Sequence, residues 1–418
     1  MTDDDLTAIA ARYGTPTYVY DLDGVEAQVT RLRAAFPGAD VHYAVKANAN
    51  GALLRFLASL GLGAEALTTG ELERAVRAGF PPERILLGGP GHTPALVKRA
   101  AEVGVGLVSL DGEGAWRIWR EARAPDTRFL IRVNPGFDPR THEHLATAAP
   151  HAKFGIPRAK AMALAEEVAA TRRLAGFHVH AGSMIAEVEV ARLVVEALSP
   201  LYDRFPDLDT VDVGGGFAVP DAPLEAFAEH FLPFARARGL RLVIEPGRFL
   251  VADAGTLLTR VLHVKHGALR HVIADAGMAD LLRPALYGAH HPVRVLPTEG
   301  AATAPAAAPA ASVPTPAVPI PATPTSAIPT TAVPTDVDGP LCENADRLAR
   351  HVDLPDVAPG DLLAVGRAGA YGFAMASNYA SSLRPAEVVS RKGEARLARR
   401  RETPEDLWRL EDEAQRSS

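Results

Sequence analysis

One cysteine, Cys342, is all the thiol chemistry that these 418 residues hold. That excludes an intrachain disulfide and fits a reducing, cytoplasmic setting. Lysine is nearly as scarce. Six occur, at positions 46, 98, 153, 160, 265 and 392, and the other basic residues are arginine. No apolar run is long enough to span a bilayer, and the opening MTDDDLTAIAARYG is acidic where a signal peptide would be basic. The net charge of −6 comes without a long basic run, which gives no reason to expect nucleic acid or membrane as a partner. A hydrophobic content of 47% and a charged content of 22% are ordinary for a globular protein, and the length suffices for two domains.

What is present is an alternation of strands and helices. Strand-like runs occur at VHYAVK (41–46), LGAEAL (62–67), RILLG (84–88), VGLVSL (105–110) and RFLIRVN (128–134). They continue at LAGFHVH (174–180), TVDVG (210–214) and RLVIE (241–245), with helical patterns such as NGALLRFLASLG and ELERAVRAGF between them. Eight such units predict an α/β fold, a (β/α)8 TIM-type barrel over residues 25–250. An open doubly wound sheet is the alternative, disfavoured because no nucleotide fingerprint is present. Beyond residue 250, runs such as RFLVADAGTLLTRVLHVKH, LRHVIADAG, GDLLAVGRAGAYG and RPAEVVS read as strands joined by turns. Residues 1–24 and 251–418 are therefore expected to build a mainly-β domain, a Greek-key-like barrel. Residues 297–335 are almost wholly Pro, Ala, Thr, Ser and Val and read as a flexible insertion.

In such barrels chemistry gathers at the C-terminal strand ends. Those ends offer Lys46, then His178 and His180 in HVHAGS, then Gly214, Gly215 and Gly216, then the EPGR run from Glu245 to Arg248. Each alone has an ordinary reading: a snorkelling lysine, a core histidine, a tight turn, a turn with a salt bridge. Their shared position at one rim strains all four. Together they suit pyridoxal 5'-phosphate. Its aldehyde needs an amine, which Lys46 would supply once burial lowers its pKa. Its phosphate needs exposed backbone N–H groups, which Gly215, Gly216, Ser183 and the backbone around Gly247 would offer. Glu245 would face the ring nitrogen and His180 would stack on the ring.

YAVKAN, HVHAGS, VGGGF and EPGR resemble the motifs of fold-type III pyridoxal-phosphate enzymes. Further on, DAGMADLLRPALYGAHH, GPLCENAD, GAYGFAMASNY and RRRETPEDLW resemble the diaminopimelate decarboxylase family. The resemblance implies decarboxylation of meso-2,6-diaminoheptanedioate to L-lysine and CO2. It implies that Lys46 binds the cofactor covalently, that Arg248 serves phosphate and substrate, and that Arg283 and Tyr287 bind substrate. It further implies that Cys342 returns the proton after CO2 leaves, that Glu343 reads the distal ammonium, and that Tyr371 touches cofactor and substrate. It implies a homodimer with two shared active sites. Retained Arg283 and Glu343 disfavour ornithine, arginine or plain lysine as substrate. A decarboxylase of another diamino, basic or carrier-tethered amino acid remains an alternative, as do an amino-acid racemase and a non-catalytic pyridoxal-phosphate carrier. Three stretches depart from the family: CENAD stands for the usual CESGD, GGPGHT (88–93) differs from the common Asn/Lys-containing loop, and the Pro/Ala-rich insertion runs directly into DVDGPLCENAD.

Overall fold

The computed structural model describes residues 1–136, 152–171, 173–297 and 333–417. A helix over Asp3–Tyr13, closed at its start by a Thr2/Asp5 capping box, leads into β1 (Thr17–Asp21). The barrel follows. Its strands are β2 (Asp40–Ala44), β3 (Gly63–Ala66), β4 (Ile85–Leu87), β5 (Leu107–Leu110) and β6 (Arg128–Asn134). After a two-residue strand, β7 (Ile156–Pro157), come β8 (Leu174–His178), β9 (Thr210–Asp212) and β10 (Arg241–Ile244). All barrel neighbours pair in parallel, and pairing of β10 with β2 and of β5 with β6 closes the ring. These are the eight strands expected from the sequence.

Helices cover the outside of the ring. Gly51–Ser59 starts where the Asn50 side chain accepts from the Ala52 and Leu53 N–H groups, and it buries Leu53, Leu54 and Leu57. Thr68 and Thr93 cap the helices Thr69–Ala78 and Pro94–Val103 in the same way. The helix Glu113–Glu121 docks both its tryptophans edge-on against Phe129, at 5.3 and 5.6 Å between ring centres. Each fully buried aromatic or leucine contributes about 1.5–3 kcal/mol.

Inside the ring, Leu86, Leu107, Leu130 and Val243 pack together as one apolar layer. Two residues further along each of those strands stand Gly88, Ser109, Arg132 and Glu245. On these four strands the period of two thus carries the inward face from an apolar layer up to a polar rim.

The second unit is mainly β, as expected. Its strands are β11 (Gly255–His266), β12 (Arg270–Ala274), β13 (Val293–Val295), β14 (Val333–Asp338) and β15 (Arg347–Leu354). The rest are β16 (Leu362–Val365), β17 (Ala386–Arg391) and β18 (Glu394–Arg399). With β1 they form a branched nine-stranded sheet, ordered β15-β14-β12-β11-β1-β17-β18, with β16 joining β11 to β13. Among the described residues no pairing joins β15 to β18.

Two local readings change. The run starting at Arg248 opens as a short helix, Arg248–Val251, before β11 begins. Residues 333–335, read as insertion, are the start of β14. That strand gains ladder partners on both edges, β12 in parallel and β15 antiparallel, and Thr335 accepts from Arg270 Nε at 2.7 Å. The rest of the insertion, residues 298–332, lies outside the described residues. No helix among the described residues is long and apolar enough to cross a membrane.

Candidate active site

A cavity of about 300 Å³ opens at the C-terminal rim of the barrel. Lys46, Glu65, His180, Ser183, Gly216, Glu245, Gly247, Arg248, Arg283, Tyr287 and Tyr371 all line it.

Lys46 sits just past β2, in a one-turn 3-10 helix over Val45–Ala47. Tyr43 fixes that turn by donating its hydroxyl to the Asn48 carbonyl at 3.0 Å. The lysine Nζ lies 3.1 Å from Glu65 Oε2, with 34% of its side chain exposed and 4% of the glutamate's. Burial, the largest influence, lowers the pKa of Lys46. Glu65, Tyr371 and Glu245 outweigh it, and the net shift is upward. The lowering by burial is thus present but more than offset in the free protein, because the ammonium has a carboxylate partner, Glu65.

His180 stands above the glycine triplet and accepts the Gly215 N–H on Nδ1 at 3.1 Å. Burial, then Arg132 and Lys46, push its pKa far down, so the ring is neutral. Gly214 and Gly216 have φ of +69° and +87°, where a side chain is strained. A methyl group on Gly215 would strike the Glu245 carbonyl, and one on Gly216 the Gly182 carbonyl. The triplet thus lets backbone approach backbone beside the cavity. Arg248 donates to Ser183 Oγ at 3.2 Å, lies 4.7 Å over the Tyr371 ring, and keeps a buried Nε without a partner. Tyr371 itself has φ +58° and is held by its N–H on the Ala47 carbonyl at 2.7 Å.

Glu245 is buried, and its Oε1 meets no donor. Burial raises its pKa well above the carboxylate range, with Asp212 and Glu65 adding to the shift and Lys46 opposing it. His178 is pinned by Ser109 Oγ at 2.7 Å on Nδ1, and its Nε2 lies 3.8 Å from Glu245 Oε2.

On the facing wall, a short helix over Arg283–Tyr287 brings in its two end residues. Arg283 meets His291 Nε2 at 3.1 Å, and His291 Nδ1 meets the Gly366 carbonyl at 3.0 Å. Burial, then the nearby Arg248, bring Arg283 down to about 10. Two guanidiniums held together in one cavity are a ready receptor for carboxylates and phosphate.

Cys342 and Glu343 are not brought into this cavity. Cys342 is exposed on the loop between β14 and β15, and the Glu343 carboxylate accepts from the Tyr379 hydroxyl. Asp346 anchors that loop, accepting the Met278 and Leu341 N–H groups at 2.6 Å each.

The donor set fits pyridoxal phosphate. It offers an amine at the mouth, a glycine cradle with a free guanidinium nitrogen, and a buried carboxyl oxygen lacking a donor. Comparison with known proteins decides the matter. Residues 22–252 match the family described as pyridoxal-dependent decarboxylase, pyridoxal binding domain. Diaminopimelate decarboxylase of Deinococcus radiodurans is 39% identical, with 96% of this chain and 97% of that one aligned.

This chain belongs to the diaminopimelate decarboxylase family.

The family member from Actinosynnema pretiosum is also 39% identical, over 97% of this chain and 90% of its own. The crystal structure of Helicobacter pylori diaminopimelate decarboxylase complexed with L-lysine superposes with a TM-score of 0.84. It is 31% identical and covers 98% of this chain and all of that one. As a member of this family the chain is a carbon-carbon lyase whose cofactor is pyridoxal 5'-phosphate.

Glu65, Asp212, Ser109 and Arg132 went unnoticed in the sequence. The signal was available: Glu65 in LGAEAL and Asp212 in TVDVG are charges set in apolar strands, as Lys46 is in VHYAVK.

Proposed function

We propose that the protein decarboxylates meso-2,6-diaminoheptanedioate to L-lysine and CO2 as a cytoplasmic homodimer. The observation that carries the substrate is Arg283 beside Arg248 in the cavity that also holds Lys46. A substrate with a carboxylate at each end needs a second cation once the first is engaged, and a simple basic amino acid does not.

Lys46 would hold the cofactor's aldehyde carbon, Glu245 its ring nitrogen and His180 its ring face. Gly216, Ser183 and the backbone at Gly247 would hold its phosphate, with Arg248 alongside; Gly215, expected to join them, instead gives its N–H to His180 Nδ1 and does not line the cavity. When bound, pyridoxal phosphate supplies an electron sink for the pair left at the α-carbon as the C–C bond breaks. The chain's own residues do the rest. Glu65 accepts a hydrogen bond from the Lys46 ammonium and holds that side chain at the cavity wall. Arg283, oriented by His291, would grip the distal carboxylate with two parallel N–H donors. Tyr287 and Tyr371 would close the sides of the substrate channel and exclude water.

Cys342 would return a proton from Sγ to the α-carbon, and Glu343 would receive the distal ammonium. Both lie outside their own chain's cavity, which supports a C2 dimer in which each loop serves the other protomer. The glutamate kept in CENAD supports the same substrate, and Tyr379 would orient it.

The test is CO2 release from a panel of meso-diaminopimelate, lysine, ornithine and arginine. Release from diaminopimelate alone is expected. Release from ornithine or arginine without diaminopimelate would refute the substrate.

A further inference from the structure

Beneath Glu245 the barrel interior holds a column of polar groups that the chemistry above does not use. Asp212, at the end of β9, is fully buried and accepts the Gly214 N–H on Oδ1 at 2.8 Å. Its carboxyl also lies within hydrogen-bonding reach of the Glu245 carboxyl. Further down, the buried His42 places Nε2 3.2 Å from Asp40 Oδ2. Asp40 is in turn paired with Arg84 at 2.6 Å and Arg241 at 3.5 Å, at the opposite end of the barrel. Four atoms of this column are buried without a hydrogen-bond partner: His42 Nδ1, Asp212 Oδ2, Glu245 Oε1 and His178 Nε2.

Two carboxylates facing each other across a dry interior are both acceptors, and like charges at contact cannot both ionise. A proton between them relieves the repulsion and supplies the donor that the paired oxygens lack. We propose that Asp212 and Glu245 share a single proton, and that Asp212 is a positioning residue setting the charge that Glu245 presents to the cofactor's ring nitrogen. This rests on the placement of that nitrogen against Glu245.

The groups facing the pair are His42 from β2, Lys46 from the turn after it, Glu65 from β3 and His178 from β8. Burial dominates and drives both acids toward their protonated forms. Glu65 pushes both the same way, while His42 pulls Asp212 back and Lys46 pulls Glu245 back. With the proton shared, the pair carries one negative charge spread over both acids, so Glu245 presents only part of it to whatever it contacts.

Asp212→Asn tests this. It keeps an oxygen for the Gly214 N–H and removes the like-charged neighbour. Both holoenzymes would be loaded with ring-15N pyridoxal phosphate, and nitrogen protonation followed by NMR across pH. In the variant Glu245 carries the whole negative charge beside the ring, and the midpoint for loss of the ring proton should rise by about one pH unit or more. Circular dichroism and cofactor stoichiometry should stay those of wild type. A midpoint unmoved in a folded, loaded variant would overturn the role of Asp212. A wild-type ring nitrogen unprotonated at every pH would overturn the placement of Glu245 itself, a distinguishable result. Infrared difference spectra of wild-type apo and holo protein give an independent check that needs no variant. A protonated-carboxyl band perturbed by cofactor at neutral pH supports the shared proton, and its absence refutes it.

Discussion

Replacing Asp346 with asparagine asks whether one carboxylate holds the loop that carries Cys342. Asp346 is buried, and its two oxygens take the Met278 and Leu341 N–H groups, each at 2.6 Å. Gly277 and Gly339 lie so close that neither could carry a side chain there. The loop is also closed from within, by Gly339 N–H on the Asp346 carbonyl at 2.8 Å and Asp346 N–H on the Glu343 carbonyl at 3.0 Å. Hydrogen bonds to a charged group are worth about 1.5–3 kcal/mol each. Asparagine keeps one of the two and turns an NH2 toward the other N–H, leaving a buried donor unpaired at a further cost. The expected loss is about 2–4 kcal/mol in urea unfolding. A loop displaced by about an ångström should also slow CO2 release by on the order of tenfold to a hundredfold. Absorption of the bound cofactor should not change, because Asp346 does not line its cavity. A variant within about 0.5 kcal/mol of wild type, the range of an ordinary surface substitution, and with unchanged turnover would refute the reasoning.

Lys46→Ala should abolish the visible band of the bound cofactor while leaving circular dichroism intact; a surviving band would refute the attachment. Arg283→Lys replaces a planar fork with a point charge, and kcat/KM for diaminopimelate should fall by on the order of tenfold or more. An unchanged kcat/KM would place the distal carboxylate elsewhere. Asp280 is buried, and burial, then Asp275 and Asp346, raise its pKa from 3.8 to about 7. Its folded-state proton stabilises the protein fully below the unfolded value, and that contribution is lost as pH rises through about 7. Between pH 4 and 8 the wild type should therefore lose about 4 kcal/mol relative to Asp280→Asn. A constant difference in urea unfolding would show that Asp280 is ionised throughout. Mixing inactive Lys46→Ala and Cys342→Ala protomers should restore about a quarter of wild-type activity if sites are shared across a two-fold dimer. No recovery in the mixed dimers would contradict sharing.

The barrel was legible because parallel strands buried on both faces leave compact apolar runs bounded by capped helices, and all eight runs carry that mark. Lys46 and the glycine triplet stood out because a cation and a flexible turn are rare in such runs. Glu65 and Asp212 carry the same kind of signal. They were passed over because a lone acid in a strand does not say which group it faces; that depends on the curvature of the ring. The raised pKa of Lys46 was hidden for the same reason. Strand β14 was obscured by composition. VPTDVD continues the bias of the segment before it, and only its two ladder partners make it a strand. The separation of Cys342 and Glu343 from the cavity is a fact of three dimensions that no spacing along the chain encodes.

Strand β1 lies in the middle of the second sheet, antiparallel to β11 on one side and parallel to β17 on the other. Residues 17–21 leave the ribosome early, yet one of their edges must wait until residues 386–391 have been synthesised. Every barrel strand is complete by residue 244. During translation the barrel can therefore close well before the sheet, with β1 as a half-paired edge in the interval. Removing residues 386–399 would make that interval permanent, giving a protein with an intact barrel and a sticky flank. Such a truncation should be recognised by its aggregation before any loss of cofactor.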